Sequence, residues 1–225
     1  MRIEAVTVCV DYSQYLKKVV SNKNKLDRWV IVTHESDLDT IQLCKKENIE
    51  FVLSKKIFKN AKFAKGTAIN EGLVVLEKND WILHIDADQL LPENFREVLT
   101  HECKSTEKLY GAYRYHENGE KFPPTRLDLV KKSKEGKVIK YIKHLYIPIG
   151  YFQLWHSSKF TEYETKSKNT RLDDYNFILK WNTSGISKKQ FRNHLVMLDL
   201  KLTDVCGYEG SSSGHRNGIR NLKSK

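Results

Sequence analysis

Apolar residues in the first hundred positions fall into short runs of two kinds, separated by polar stretches that favour turns. Residues 3–10 (Ile-Glu-Ala-Val-Thr-Val-Cys-Val), Trp29–Thr33, Glu50–Leu53 and Asp80–Asp88, the last through Trp81, Ile82, Leu83 and Ile85, are dense in β-branched, aromatic and leucine side chains. Such runs predict strands covered on both faces. Between them the spacing changes to that of helices. Ser13 is placed to cap a helix through Leu16, Val19 and Val20, and Asp37 one through Ile41 and Cys44. Ile69, Leu73 and Leu76 form one apolar stripe over residues 65–76, with Gly72 inside it allowing close packing. Pro92 and Glu93 suit the first turn of a further helix reaching Leu99 or His101. Strand alternating with helix predicts an α/β fold with a mostly parallel central sheet flanked by helices.

The second half reads differently. Leu109–Tyr115 alternates aromatic residues as a strand does, Asn118-Gly119 is a hairpin-type turn, and residues 138–147 are strand-like. Residues 150–156 are apolar and aromatic. Residues 171–181 read as a helix, with Phe177 and Trp181 four apart and Asp173 or Asp174 near its start. Residues 207–225, rich in Gly, Ser, Asn and Arg, read as a mobile tail or a loop that orders on a ligand. No internal repeat is visible.

The 225 residues suit one full-sized domain, and 40% hydrophobic content is enough for its core. The net charge of +11 points to an anionic partner: nucleotide phosphate, nucleic acid or anionic lipid. Part of it is clustered, at Lys55, Lys56, Lys59, Lys62 and Lys65, at Lys131–Lys143, and at Arg216 and Arg220 in the tail. Cys9, Cys44, Cys103 and Cys206 lie far apart with no Cys-x-x-Cys, which offers neither a zinc nor a redox motif. No signal peptide or transmembrane run is apparent, so a reduced, cytoplasmic setting is expected.

The chemistry concentrates at Asp86-Ala87-Asp88, at the carboxyl end of the Trp81–Ile85 run. These two acids are read as the end of the Asp80–Asp88 strand, where period-two alternation points both carboxylates the same way. Ligands of open α/β sheets bind at that end. Hard divalent cations take one or two carboxylates and leave room for phosphate and water. His84 shares the parity of Asp86 but lies deeper, and reads as a core histidine.

The ordered set of pieces resembles the GT-A glycosyltransferases, in particular a family 2-like branch of small bacterial and phage proteins. It comprises the Val-Thr-Val-Cys-Val strand, Trp29–Thr33 with its acidic turn, Lys65-Gly66…Asn70-Glu71-Gly72, and the Asp86-Ala-Asp88 strand. Tyr110-Gly-Ala, Gly150–Trp155 and Asp173–Trp181 complete it. The resemblance covers residues 3–182 and is specific as an ordered set, weak motif by motif. It implies one GT-A-type domain. Residues 1–101 would be its nucleotide-sugar-binding half, 102–206 a smaller mixed acceptor-side half, and 207–225 a basic tail or lid.

The resemblance further implies a nucleotide-sugar donor, most simply a UDP-sugar, and Mn²⁺ or Mg²⁺. Val10, Asp11 and Tyr12 would meet the nucleoside, with Glu35 or Asp37 from the second turn. Lys65 and Asn70 would face the nucleotide. Asp86 and Asp88, with Ala87 between them, would hold ribose and metal, and Arg216 and Arg220 would close over the diphosphate. The general base falls on Asp173 or Asp174, with Asp174 better spaced. The histidine that such enzymes carry after the last strand is absent, leaving Asp204 or His215 as third metal ligand. Tyr151, Phe152 and Trp155 are expected to line an acceptor pocket or to be core. DNA carrying a modified base is one acceptor consistent with the charge. Two other readings compete. One is a nucleic-acid-binding module using Tyr113, Tyr115, Phe152 and Trp155 as stacking platforms. The other is a nucleotidyltransferase, which would more often place glycines after the first strand, where Val8-Cys-Val-Asp-Tyr-Ser has none.

Overall fold

Four of the apolar runs become parallel neighbours: β1 (Ile3–Val8), β2 (Arg28–Thr33), β3 (Glu50–Leu53) and β4 (Trp81–Ile85). They are seen in a computed structural model that describes residues 1–58, 63–122, 126–132, 138–148, 150–159, 161–165, 170–181 and 194–205. The remaining strands are β5 (Gln89–Leu90), β6 (Leu109–His116), β7 (Arg126–Lys132), β8 (Val138–Tyr146), β9 (Phe152–His156) and β10 (Leu195–Asp204). The main sheet has eight strands in the order β3-β2-β1-β4-β9-β6-β10-β5, and β7 and β8 pair separately. β9 runs antiparallel to β4 and β6, β10 parallel to β6, and β5 antiparallel to β10. The sheet therefore draws on both halves of the chain, and β5 pairs with its far edge although it follows β4 almost at once.

Burial on both faces explains the continuous apolar runs. Ile3 and Ala5 of β1, Trp29 and Ile31 of β2, and Leu83 and Ile85 of β4 join one core layer. The intervening Val6, Val8, Val30, Val32 and Ile82 join the other. The first layer is covered by α1 (Ser13–Leu16), α2 (Leu38–Glu47) and α4 (Phe95–Glu102); the second by α3 (Lys65–Val75) and α5 (Thr170–Leu179). Burial pushes the Cys9 thiol up and that of Cys44 to about 12, as expected of small hydrophobes in a core.

Several boundaries differ from expectation. Ser13 lies inside α1 behind Tyr12, and the helix tightens after Leu16 into a 3₁₀ segment, Lys17–Lys25. There Asn22 donates to the Gln89 carbonyl (2.8 Å) and accepts from the Leu91 amide (2.9 Å), so tertiary bonds set the local shape. Pro92 and Glu93 precede α4; Glu93 pairs with Lys25 at 2.7 Å. Asp37 does cap α2, accepting from the Thr40 amide at 3.2 Å. Strands β5, β7 and β10 were not expected. No helix among the described residues is long and apolar enough to cross a membrane.

Gly72 places α3 on the sheet. A Cβ there would stand 2.5 Å from Val6 Cγ1 and 2.7 Å from Val32 Cγ2. Overpacking of this kind costs about 1–3 kcal/mol, while replacing glycine inside a helix returns about 1 kcal/mol. Gly72→Ala is therefore expected to lower the urea midpoint at unchanged m-value.

Candidate active site

The chain lays down β1, β2 and β3 in one direction and then places β4 on the other side of β1, which makes the β1/β4 boundary a switch point. Crevices form there, outside the carboxyl ends of the strands. Residues 9–12 leave β1 into this crevice and residues 86–88 leave β4 into it. Asp11 turns the chain in the left-handed region (φ 51°), and its amide donates to Asp37 Oδ2 at 2.8 Å. The Tyr12 hydroxyl donates to Asp88 Oδ2 at 3.3 Å, joining the two loops.

Asp86 and Asp88 are not part of an extended strand. β4 stops at Ile85 and the chain turns, with the Gln89 amide donating to the Asp86 carbonyl at 3.3 Å. Alternation therefore does not apply to the pair. A cation meets the first of them and acts on the second through its charge. Lys65, the first residue of α3, donates to Asp86 Oδ1 at 2.8 Å and reaches the Gly150 carbonyl at 3.5 Å. Burial pushes its ammonium pKa down, but Asp86, Asp174 and Asp88 together outweigh this and hold it above the ordinary range. Asp86 stays 34% exposed, whereas Asp88 is buried and accepts from Gln89 Nε2 at 2.7 Å.

α5 supplies two further acids with different tasks. Asp173 is buried, and its Oδ2 accepts from the Gly66 amide at 3.2 Å. The cap position of α3 carries Ala64, which has no side chain to offer, so Asp173 satisfies an α3 amide from across the interface. Asp174 lies against Gly150 with Oδ1 sealed from solvent and without a hydrogen-bond donor. Burial raises its carboxyl to about 6. Lys65 opposes the rise, Asp86 and Asp173 add to it, and the Gly150 amide opposes it.

Behind these groups lies His84, fully buried on β4 and held down to about 3 by burial and by the Lys65 charge. Its Nδ1 meets the Tyr163 hydroxyl at 3.0 Å. Tyr163, stacked on Phe177, is a member of the site that no local motif announces. Gly150 is another.

Other expected site residues are placed elsewhere or spent on structure. Asp37 is buried, taking Asp11 and Thr40 amides and the Thr33 hydroxyl (3.0 Å), so it braces the loop. Asn70 spends both side-chain atoms on the Tyr163 backbone, at 2.9 and 2.7 Å. The side chains of Val10, Tyr12 and Ala87 belong to the core. Phe152 and Trp155 are fully buried, one in each layer, and Tyr151 is buried with its hydroxyl on the Ala112 carbonyl at 2.7 Å. They are core residues and not an acceptor lining: alternation along β9 turns Phe152 and Trp155 into opposite layers, and Tyr151, just before the strand, packs in the layer of Phe152. Two stacking platforms are thereby removed. The other two are engaged: Lys121 sits 3.5 Å over the Tyr113 ring, and the Tyr115 hydroxyl donates to Asp199. Asp204 is buried and paired with Arg114 at 3.3 Å, so it balances that guanidinium. Glu35 is exposed on its turn, where His34 and Phe58 form a ring pair 5.0 Å apart that the sequence did not flag. His215, Arg216 and Arg220 lie outside the described residues.

No protein-family model matches the sequence, and no curated protein matches it. Solved structures do. Mannosyl-3-phosphoglycerate synthase from Rubrobacter xylanophilus matches with a TM-score of 0.55 at 13% identity, over 98% of this chain and 72% of that one. Glucosyl-3-phosphoglycerate synthase from Mycobacterium tuberculosis, in complex with Mn²⁺, UDP and glucosyl-3-phosphoglycerate, matches at 0.55 and 12% identity, over 99% and 79%. Inositol-1-phosphate CTP transferase from T. maritima matches at 0.53 and 13% identity, over 99% and 96%. At such identities the likeness shows the fold: this chain has the GT-A-type architecture that these sugar and nucleotidyl transferases share.

Proposed function

We propose that the chain moves a sugar from a nucleotide-sugar donor to an acceptor hydroxyl, with Asp174 as general base. The observation that carries this is Asp174 itself: a carboxylate raised to about 6, seated against Gly150 and beside Lys65 and Asp86 at the switch point. A base poised near working pH is what deprotonation of a hydroxyl requires. As the acceptor oxygen bonds to the anomeric carbon, its proton passes to Asp174. The bond from that carbon to the phosphate oxygen breaks, and the nucleoside diphosphate leaves with the electron pair. The Lys65 ammonium neutralises charge on the leaving phosphate.

Asp86 and Asp88 fit a divalent cation of the Mn²⁺ or Mg²⁺ class. The carboxylates of Asp86, Asp174 and Asp88 all act on the Lys65 ammonium, and carboxylate oxygens are the ligands such cations take. When bound, such a cation supplies further compensation for the diphosphate. Asp11, Glu35, Lys65 and Asp86 are the nucleotide-facing residues in this reading. A nucleotidyl transfer on the same fold is less well supported: Asp11 takes the turn after β1 where a glycine-rich phosphate loop would lie, and phosphoryl attack gives Asp174 no comparable task.

Thermal unfolding with Mn²⁺ and a panel of nucleotide sugars tests the reading. Ligand at about 100 times its Kd adds about 2.7 kcal/mol of stability, so Tm is expected to rise with one donor, and Asp88→Ala to remove the rise. A Tm indifferent to every nucleotide sugar would count against sugar transfer.

A further inference from the structure

His84 carries a buried ring nitrogen, Nε2, with no hydrogen-bond partner among the described residues. Its hydrogen bonding can be followed from a fixed end. The Pro148 carbonyl can only accept, so Gln153 presents Nε2 to it (2.8 Å), which leaves Gln153 Oε1 as an acceptor. Tyr163 spends its one proton on that Oε1. The Tyr163 oxygen is then an acceptor for His84, so the imidazole proton sits on Nδ1 (3.0 Å), and Nε2 carries a lone pair. That nitrogen is fully buried, has no hydrogen-bond partner, and lies 3.9 Å from Asp86 Oδ1. A buried acceptor left unpaired is costly. Its neighbour is Asp86 Oδ1, an anionic oxygen that also accepts from Lys65 at 2.8 Å, so a group seated between this nitrogen and that oxygen must be electropositive.

We infer that His84 Nε2 and Asp86 Oδ1 form a nitrogen–oxygen chelate for a divalent transition cation of the Mn²⁺ or Co²⁺ class, with Lys65 holding Asp86 until the cation arrives. Three features support it. A neutral histidine whose other ring nitrogen is fixed by a hydrogen bond is the usual form of a metal-bound imidazole. Donors side by side on an octahedral cation with bonds of about 2.1 Å stand about 3 Å apart, so the pair must close by about 1 Å, which the partly exposed Asp86 can do by rotating. Displaced from Asp86, the Lys65 ammonium becomes available to a phosphate oxygen. Among the described residues no three His, Cys, Asp or Glu side chains gather into a metal cage. Diphosphate oxygens and water, with Asp88 drawn in once the ion is bound, complete the coordination, and in this the site rests on the transfer reading. A nitrogen ligand also favours Mn²⁺ or Co²⁺ over Mg²⁺.

The test is pulsed EPR of Mn²⁺ added alone to the full chain, with titrations of affinity. The bound ion is expected to show coupling to an imidazole ¹⁴N that is lost in His84→Leu. Tyr163→Phe, which frees the imidazole tautomer but keeps the ligand, is expected to retain the coupling and to weaken binding about 10–100-fold. Lys65→Met is expected to tighten Mn²⁺ binding. Absence of ¹⁴N coupling in both the wild type and Lys65→Met overturns the chelate, as does a His84→Leu protein with wild-type Mn²⁺ affinity. Nucleotide-sugar binding without ¹⁴N coupling would remove this site and leave the transfer reading standing. An imidazole-bound Mn²⁺ in a protein that binds no nucleotide sugar would do the reverse.

Discussion

Asp174→Asn is expected to lower sugar transfer by about 10²–10⁴-fold, the usual worth of a positioned general base, and to spare donor affinity. Asparagine keeps the shape that fills the space beside Gly150 but cannot take a proton. Burial, helped by Asp86 and Asp173 and opposed by Lys65 and the Gly150 amide, sets the carboxyl at about 6. Because the base acts when ionised, wild-type kcat/KM should rise with pH through about 6 and then level. The substitution should remove that limb together with most of the rate. Stability should move the other way. A carboxyl raised in the folded state costs stability as pH climbs from the unfolded value near 4 through about 6, because the native protein holds the proton longer. Asp174→Asn should therefore raise Tm at pH 7, with the gain shrinking towards pH 4. A fully active variant, or a wild-type profile flat between pH 5 and 8, would remove Asp174 from the role. Gained stability with lost activity would mark a site kept at a cost to the fold.

The strands of the first half were legible because burial on both faces leaves a plain signature. Ile3 to Val8, Trp29 to Thr33 and Trp81 to Ile85 are mostly apolar runs, with core residues on both faces. β10 was not, because Asp199 and Lys201 are exposed in its middle and its register shifts between Leu198 and Leu202. The Asp86-Ala-Asp88 motif was legible as chemistry but not as geometry. A turn, not strand alternation, sets its acids, Asp86 on the Lys65 ammonium and Asp88 on Tyr12 and Gln89. Residues of the site that come from distant chain were out of reach: Tyr163 has no periodic context, and Gly150 shows its purpose only when α5 is set against it. The aromatic β9 segment misled for a simple reason. Tyr151, Phe152 and Trp155 have the composition of a binding surface and of a core alike, and only the strand's place between β4 and β6 decides. Asp37 and Asn70 show the same ambiguity in polar residues, since a carboxylate or amide that braces a loop looks in sequence like one that binds a ligand.

Gly150→Ala should reproduce most of the loss seen in Asp174→Asn without touching an ionisable group. A Cβ at Gly150 would stand 2.1 and 2.2 Å from the two Asp174 oxygens and 2.3 Å from Cγ. Those atoms are the end of a short side chain on a half-buried position, so the carboxylate swings away and the backbone is spared. Stability should change little, while the base leaves the Gly150 amide and the neighbourhood of Lys65. Displacement of a catalytic group by about 1 Å can cost about 10²-fold, and that is the loss expected in kcat, with donor affinity near the wild-type value. The double variant supplies the decisive comparison. If Gly150 serves catalysis only by seating Asp174, Gly150→Ala combined with Asp174→Asn should be no slower than Asp174→Asn alone, because coupled residues do not add. Additive losses would show that Gly150 acts independently of Asp174, through the Lys65 contact to its carbonyl. The turn before β9 would then position the cation and not the base.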